Sequence, residues 1–383
     1  MKKVIFIILI VALLLSCKSQ STSPDNNTSD GGAISGGENN NNTETPELPT
    51  IDEEAEKYGV DIDTATAETI REALEKYYKD KGEYKVIFTG TSTKNYDKSS
   101  SLGGIINEIR DINNIIVSLE NVTFQNNKLP DYILVNTALM YYNITKVILP
   151  DYITVLGESV FFDCKVLTEV NMPKSLIEIG GSIFFNTKVK NINLPNGLKT
   201  INDYAFEVSA IESVDIPDSV TSIGIEAFEA CRQLHSVKLS KNLSVIPKSA
   251  FTSCSGLKTI TIPESVTSIE DLAFYACSGA ENVVFEGANP KLTTIGDSAF
   301  GYCRKLTTIT IPDSVKAIED SAFSTCDLLT SITFLSPTPP SMNGSRIFED
   351  TPLQNVYVPK GAAAAYEALK GNGLPQNVTI NEM

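Results

Sequence analysis

The sequence predicts a mainly β solenoid made by stacking one short unit many times. Three observations carry that prediction: an Ile-Pro step recurs at nearly constant spacing, apolar residues keep the same offsets in every period, and most repeats set a Phe and a Cys in fixed columns. Self-similarity at a period of roughly 20–50 residues marks a repeat architecture.

Aligned on "LTTITIPDSVKAIEDSAFSTC" (Leu306 to Cys326), equivalent steps fall at Pro150, Pro173, Pro195, Pro217, Ser240, Pro263, Glu286, Pro312, Leu335 and Pro359. Their spacing is 22 to 24 residues, except one of 26 where three extra residues surround Ala288-Asn289-Pro290. The period through Pro217 holds Ile211, Val214, Ile216, Val220, Ile223, Ala227, Phe228 and Cys231. The next repeats those offsets with Leu234, Val237, Leu239, Leu243, Ile246, Ala250, Phe251 and Cys254. Ile309-Thr310-Ile311 alternates with strand period, one face in and one out. The Pro that follows cannot donate to a ladder, so it ends the strand. Val-Thr-x-Ile predicts a second extended piece, and Ala-Phe a tight turn that plugs the core. One unit cannot bury its own apolar side; stacked neighbours can.

In chain order, MKKVIFIILIVALLLSC opens with Lys2 and Lys3, an apolar run from Val4 to Leu15, then Ser16 and Cys17. That run is shorter than the roughly 20 residues of a permanent membrane helix. It reads as an export signal over residues 1–16. Leu14-Leu15-Ser16-Cys17 resembles the bacterial lipobox, which implies cleavage before Cys17 and lipidation of Cys17. Residues 17–50, rich in Asn, Ser, Thr and Gly, cannot offset the entropy of ordering and read as a disordered tether.

Residues 51–143 depart from the repeat and read as an α/β N-terminal cap. Thr66 or Thr64 caps a helix with Ile70, Leu74 and Tyr77 or Tyr78 on its apolar face, ending near Lys81-Gly82. Tyr84 to Thr89 reads as a strand. Leu102, Ile105, Ile106 and Ile109 have helical spacing, Ile115 to Leu119 reads as a strand, and degenerate strands surround Val122-Thr123-Phe124. The repeats occupy 144–360. Residues 361–383 form a C-terminal cap whose Ala-rich helix, Ala362 to Lys370, covers the last open apolar face.

The unit x-Ile-Pro-x-Ser-Val-Thr-x-Ile-Gly-x-x-Ala-Phe-x-x-Cys is best kept at Ile262 to Cys277 and Ile311 to Cys326. It resembles the BspA-type (Treponema-type) leucine-rich repeat of bacterial surface proteins, from about Ile144 to Lys360. The segment "LSPTPP…FEDTPLQNVYVPKGAAAAYEAL" is similar to that family's closing repeat. The resemblance implies a leucine-rich repeat array of about 23-residue units in an extracellular, lipid- or wall-anchored binding protein. Some members are adhesins for host matrix proteins or other bacteria. One repeat scaffold hosts many partners, so the likeness names no ligand.

The formal charge of −16, from 31 basic and 47 acidic residues, disfavours a nucleic-acid partner, which would need a basic stripe. The single His235 excludes sites that need two histidines. It shares its column with Lys258, Thr307 and Thr330 and reads as a surface residue. The sequence contains no Gly-x-Ser-x-Gly, phosphate-binding Gly-rich loop or calcium-loop pattern. No catalytic activity, catalytic residue, cofactor or metal is expected. Glu270-Asp271 and Glu319-Asp320 read as solvated turn residues.

Cys164, Cys231, Cys254, Cys277, Cys303 and Cys326 fall in one column, which Thr187 and Ser209 fill elsewhere. An even count in an exported protein admits a disulfide framework. Column neighbours at a strand pitch of about 4.8 Å, with parallel side-chain vectors, suit S–S bonds poorly. Buried free thiols are favoured over disulfides or a metal ladder.

Two residues before each step sit Ile148, Asn171, Asn193, Asp215, Lys238, Thr261, Val284, Thr310, Thr333 and Tyr357. A solenoid aligns them into one continuous sheet face. Most are small or polar, without the run of aromatics or Arg that marks a hot spot. From Asn171 to Tyr357 they form a candidate binding face for host matrix or bacterial surface proteins, or glycans. The competing reading is a solvated β surface on an envelope spacer without a dedicated ligand. The protein is expected to be exported, anchored by lipid at the outer membrane or cell surface, and monomeric.

Overall fold

The structure is a computed structural model and describes residues 52–135 and 143–383. The export signal, Cys17 and the tether lie outside the described residues. The described part begins with α1 (Glu53–Tyr58), β1 (Gly59–Asp61) and α2 (Ala67–Lys81). Thr66, not Thr64, caps α2: its hydroxyl accepts from the Thr69 amide at 3.2 Å, and Thr69 returns the bond to the Thr66 amide at 2.9 Å. This reciprocal box satisfies two amides that a helix start leaves open. Gly82 stops the helix at φ 81°, a left-handed conformation that costs glycine little. Ile70, Ala73, Leu74 and Tyr77 face the core, while Tyr78 stays exposed.

β2 (Lys85–Ser92), α3 (Leu102–Asn107) and β3 (Ile115–Phe124) follow. α3 stops short of Ile109, and β3 absorbs Val122-Thr123-Phe124 into one strand instead of leaving them separate. β4 (Lys128–Leu129) precedes the array. Each repeat then supplies two short strands: β5 (Ile144–Ile148) with β6 (Val155–Leu156), and β7 (Glu169–Val170) with β8 (Glu178–Ile179). The next repeat keeps only β9 (Thr200–Ile201), its first strand reduced to a bridge from Asn191 to Ser213. The alternation resumes with β10 (Ser213–Asp215), β11 (Ser222–Ile223), β12 (Ser236–Lys238) and β13 (Val245–Ile246). It continues with β14 (Thr259–Ile262), β15 (Ser268–Ile269), β16 (Asn282–Phe285) and β17 (Thr294–Ile295). β18 (Thr308–Ile311), β19 (Ala317–Glu319), β20 (Ser331–Phe334), β21 (Ser341–Asn343) and β22 (Asn355–Val358) complete it. α4 (Ala363–Glu367) and β23 (Thr379–Glu382) close the chain.

The strand pairings are parallel and build two ladders. One runs β1-β2-β3-β5-β7 and resumes as β10-β12, β14-β16 and β18-β20-β22-β23; the other runs β4-β6-β8-β9-β11 and β13-β15-β17-β19-β21. The first ladder crosses residue 144 without a break, because β3 pairs directly with β5. It also continues past 360, since β23 pairs with β22 and sets Ile380 opposite Val356. α4 is shorter than Ala362 to Lys370, but Tyr366 within it is buried and its hydroxyl donates to the Ser336 carbonyl at 2.9 Å.

Between the ladders lies one core cluster reaching from Ile62 to Val378. Its spine is a column of rings, Phe161 to Phe348, stacked at centroid distances of 5.0 to 5.6 Å. The Ala-Phe turns that carry these rings form a third ladder, which the sequence reading did not anticipate. The amides of Glu226, Phe228 and Ala230 donate to the carbonyls of Lys248, Ala250 and Thr252 in the next repeat, at 3.1, 2.9 and 2.7 Å. The same triplet recurs from Ser159–Asp163 through Ser298–Tyr302. The pattern requires left-handed backbone at its first and last donors, as at Tyr204 (φ 59°), Val208 (φ 57°) and Leu272 (φ 58°). Such a residue costs roughly 1–2 kcal/mol. Three inter-repeat bonds, each contributing about 0.5–1.5 kcal/mol net, offset it.

Candidate interaction surface

The outward strand positions do face solvent and do align. Asp215 lies opposite Lys238, Thr261 opposite Val284, Thr310 opposite Thr333, and Thr333 opposite Tyr357. They do not form one continuous sheet, which corrects the expectation from the period. The ladder breaks between β7 and Asn191. On the other side of β7, Asn171 turns its side chain back onto the preceding repeat. Its side-chain oxygen accepts from the Leu149 amide at 2.7 Å, and its Nδ2 donates to the Leu149 carbonyl at 2.9 Å. The amide group thus replaces a strand's backbone, and Asn171 is committed to the scaffold. Asn193 lies just beyond this break, outside any strand, and Ile148 is half-buried. Further interruptions separate β12 from β14 and β16 from β18.

Around the first break the surface dips. One open trough of about 610 Å³ is lined by Glu120, Pro150, Asp151, Tyr152, Met172 and Lys174 among others. A second runs along Lys146 to Ile148 and Glu169 to Asn171. Their cations are already matched: Lys146 pairs with Glu169 at 2.9 Å, and Lys190 at the rim pairs with Glu212 at 2.9 Å. Exposed pairs of this kind contribute about 0–1 kcal/mol each.

The residues with chemical potential fall elsewhere. His235 is exposed, with Nδ1 3.3 Å from the Gln233 carbonyl. All six repeat cysteines are buried, and none is in a disulfide. Each thiol donates to a carbonyl of the preceding repeat: Cys231 to Phe206 at 3.0 Å, Cys254 to Phe228 at 3.1 Å, Cys277 to Phe251 at 3.2 Å. Burial pushes the Cys231, Cys277 and Cys326 thiols up to about 12, so they stay protonated. A protonated thiol is neither nucleophile nor metal ligand. Thr187 fills the same slot by bonding the Phe184 carbonyl at 3.0 Å, and the Ser209 hydroxyl lies 3.3 Å from Cys231 Sγ. At the cysteine positions the column is a polar tie between turns, while Thr187 ties its own turn. Among the described residues no group of His, Cys, Asp and Glu is placed to hold a metal ion.

The carboxylate pairs are more engaged than solvated turn residues would be. Glu270 accepts from the Lys248 amide at 3.0 Å, Asp271 from the Asp297 amide at 3.0 Å, and Asp320 from Arg346 Nε at 3.0 Å. They clip neighbouring turns together. Sequence reading also passed over Glu207, Glu226 and Glu229, which gather on two adjacent turns whose rings, Phe206 and Phe228, stack at 5.0 Å. Burial, then the nearby Glu226 charge, raises Glu207 to about 7. Burial and the hydrogen bond to Glu226 raise Glu229 as well. Two successive repeats with Glu directly after the core Phe were the available signal.

Among the described residues, no helix is long and apolar enough to cross a membrane. A family model described as a BspA type leucine-rich repeat region matches residues 132–258 and 244–369. A leucine-rich repeat protein of Bacteroides ovatus is similar in structure at 26% identity and TM-score 0.57, covering 70% of this chain and 68% of that one. A leucine-rich repeat protein of Eubacterium ventriosum is 20% identical at TM-score 0.45, covering 77% of this chain and 78% of that one. A leucine-rich cell surface protein of Faecalibacterium prausnitzii is 20% identical at TM-score 0.39, covering 68% and 82%. No curated protein matches the chain significantly.

Proposed function

The chain belongs to the BspA type leucine-rich repeat family, and on that premise we propose that it is a bacterial cell-surface binding protein, held by lipid on Cys17 and recognising protein or glycan partners through its outward strand face. The observation that carries this reading is the aligned column itself. Side chains such as Thr310, Thr333 and Tyr357 stand in register on parallel strands, over the buried Ile309, Ile332 and Val356. A rigid face with residue-by-residue variation is the form in which repeat arrays present recognition surfaces. The basic, apolar and Leu-Leu-Ser-Cys segments at the start of the chain support export and lipid anchoring. Two or more acyl chains give stable anchoring where one is marginal. Residues 17–50 would hold the array at a root-mean-square distance of roughly 30 Å from the membrane.

Protease shaving of intact cells tests the location: the repeats are expected to be cleaved while a cytoplasmic marker survives. Cys17→Ala is expected to move the protein out of the membrane fraction. Unchanged detergent partitioning of that variant would overturn the lipid anchor. Binding of the purified chain to matrix proteins or bacterial cells separates a recognition face from a spacer, which would bind neither.

A further inference from the structure

The charge on the strand face is unevenly distributed. Outward positions of the earlier strands carry Lys146, Glu169, Asp215 and Lys238, whereas those from Thr259 onward carry no charge at all. This uncharged stretch ends in β18, β20, β22 and β23, four strands paired without a break. Thr310 faces Thr333, Thr333 faces Tyr357 and Tyr357 faces Asn381; beside them Thr308 faces Ser331. Tyr357 is 38% exposed. Within the described residues the side chains of Thr308, Thr310, Ser331, Thr333 and Tyr357 form no hydrogen bond. Buried Ile309, Ile332 and Val356 pin the backbone beneath them. The hydroxyls are therefore held at the strand pitch of about 4.8 Å.

We propose that this four-strand face binds a neutral polysaccharide, with Tyr357 as the stacking platform and the surrounding hydroxyl and amide groups as hydrogen-bond partners. This deepens the binding-face reading and rests on it. A sugar ring offers an apolar C–H face and a rim of hydroxyls that both donate and accept. An exposed aromatic ring answers the first, and Thr, Ser and Asn answer the second, since each can donate and accept. An anionic glycan or nucleic acid would need Lys or Arg here, and it would approach a chain of net charge −16. A protein partner draws its affinity from clustered aromatic or Arg anchors in the centre of the contact; a single Tyr on this sheet supplies no such cluster. A linear polymer crossing the strands would meet a similar set of groups at each step, which suits a repeating ligand.

The test is titration calorimetry of the full chain against β-linked gluco-, manno- and galacto-oligosaccharides, with polygalacturonate as the anionic probe and collagen and laminin as protein probes. At least one neutral series is expected to bind and polygalacturonate is not. Tyr357→Ala and Thr333→Glu are each expected to weaken that binding tenfold or more. His235→Ala, outside the patch and outside the outward column, is expected to leave it unchanged. Melting curves of the two patch variants check that the fold is kept, and Tyr357→Phe, which retains the ring, is expected to retain most of the affinity. Neutral-saccharide binding that survives both Tyr357→Ala and Thr333→Glu overturns the inference, as does preference for polygalacturonate. If collagen or laminin binds instead, and Thr333→Glu weakens it, the glycan assignment falls and the binding-face reading stands. If no probe binds, both fall.

Discussion

Truncating Phe251 to Ala isolates the contribution of the ring column. Phe251 is fully buried, with Phe228 at 5.2 Å on one side and Phe274 at 5.4 Å on the other. Removing a buried Phe side chain costs about 3–5 kcal/mol, through lost transfer energy and the cavity left behind. Collapse of that cavity is opposed here, because each neighbouring ring is fixed by its own turn bonds. The upper part of the range, about 4–5 kcal/mol, is therefore expected. Phe348 gives the comparison: among the described residues its one ring neighbour is Phe323 at 5.6 Å, and it lies near the end of the array. Losing one aromatic pair instead of two makes Phe348→Ala milder by roughly 0.5–1.5 kcal/mol. In a near one-dimensional array, stability sums over repeats and neighbour interfaces. Opening in Phe251→Ala should then stay local, around residues 240–275. Segment-resolved hydrogen exchange is expected to accelerate there by about three decades, at 1.4 kcal/mol per decade. Amides of α2 should be unchanged. Uniform acceleration along the whole chain, or none near the substitution, would refute the stacked-neighbour reasoning in favour of one globally cooperative core.

Val208 holds φ 57° while exposed, in the column where the preceding turn places Asn186 at φ 54°. Val208→Asn is expected to stabilise by about 1 kcal/mol, seen as a higher urea midpoint; a lower midpoint would mean that the turn carries no such strain. Glu207 and Glu229 are raised in the fold, so their contribution to stability is fully present below the ordinary carboxylate range near 4.5 and is lost as pH rises through about 7 for Glu207 and about 8 for Glu229. Thermal melting should show Glu229→Gln gaining on the wild type at pH 9 and matching it at pH 5; a gain only in acid would contradict the assignment. The six repeat thiols should resist alkylation in the native protein and all react once it is denatured, without prior reduction. Recovery of protected pairs would restore the disulfide reading.

What the sequence made legible follows from side-chain type. The alternation Ile309-Thr310-Ile311, the Pro stop and the Phe and Cys columns each rest on a residue preference, and each appears where the period places it. Features built by backbone were not legible. The turn ladder uses left-handed conformations at Tyr204, Val208 and Leu272, residues that carry no glycine-like signal for them. α1 is six residues long with only Ala55 and Tyr58 buried, too short for a helical period to register. Asn171 bonds the Leu149 backbone as a strand would, which its place in an otherwise solvent-facing column conceals. β23 lies beyond the last Pro step and so escaped the alignment, although it pairs in the same register.

The turn bonds all run in one sense, from the amide of one repeat to the carbonyl of the next. At the start of the array the corresponding carbonyls are occupied: Ile133 takes the Gly103 amide and Val135 takes the Ser101 hydroxyl. Every interior interface offers the same donors to the same acceptors. A tandem duplication of one whole repeat would therefore find its partners already in place on both sides, and the gene could lengthen or shorten the array by copying errors without redesigning a contact. Small insertions have a narrower path. The three extra residues near Ala288-Asn289-Pro290 enter between β16 and β17, where Val283 still faces Ile260 and Ile295 still faces Ile269. Inheritance in this chain is thus tolerant of changes in count and strict about changes in phase.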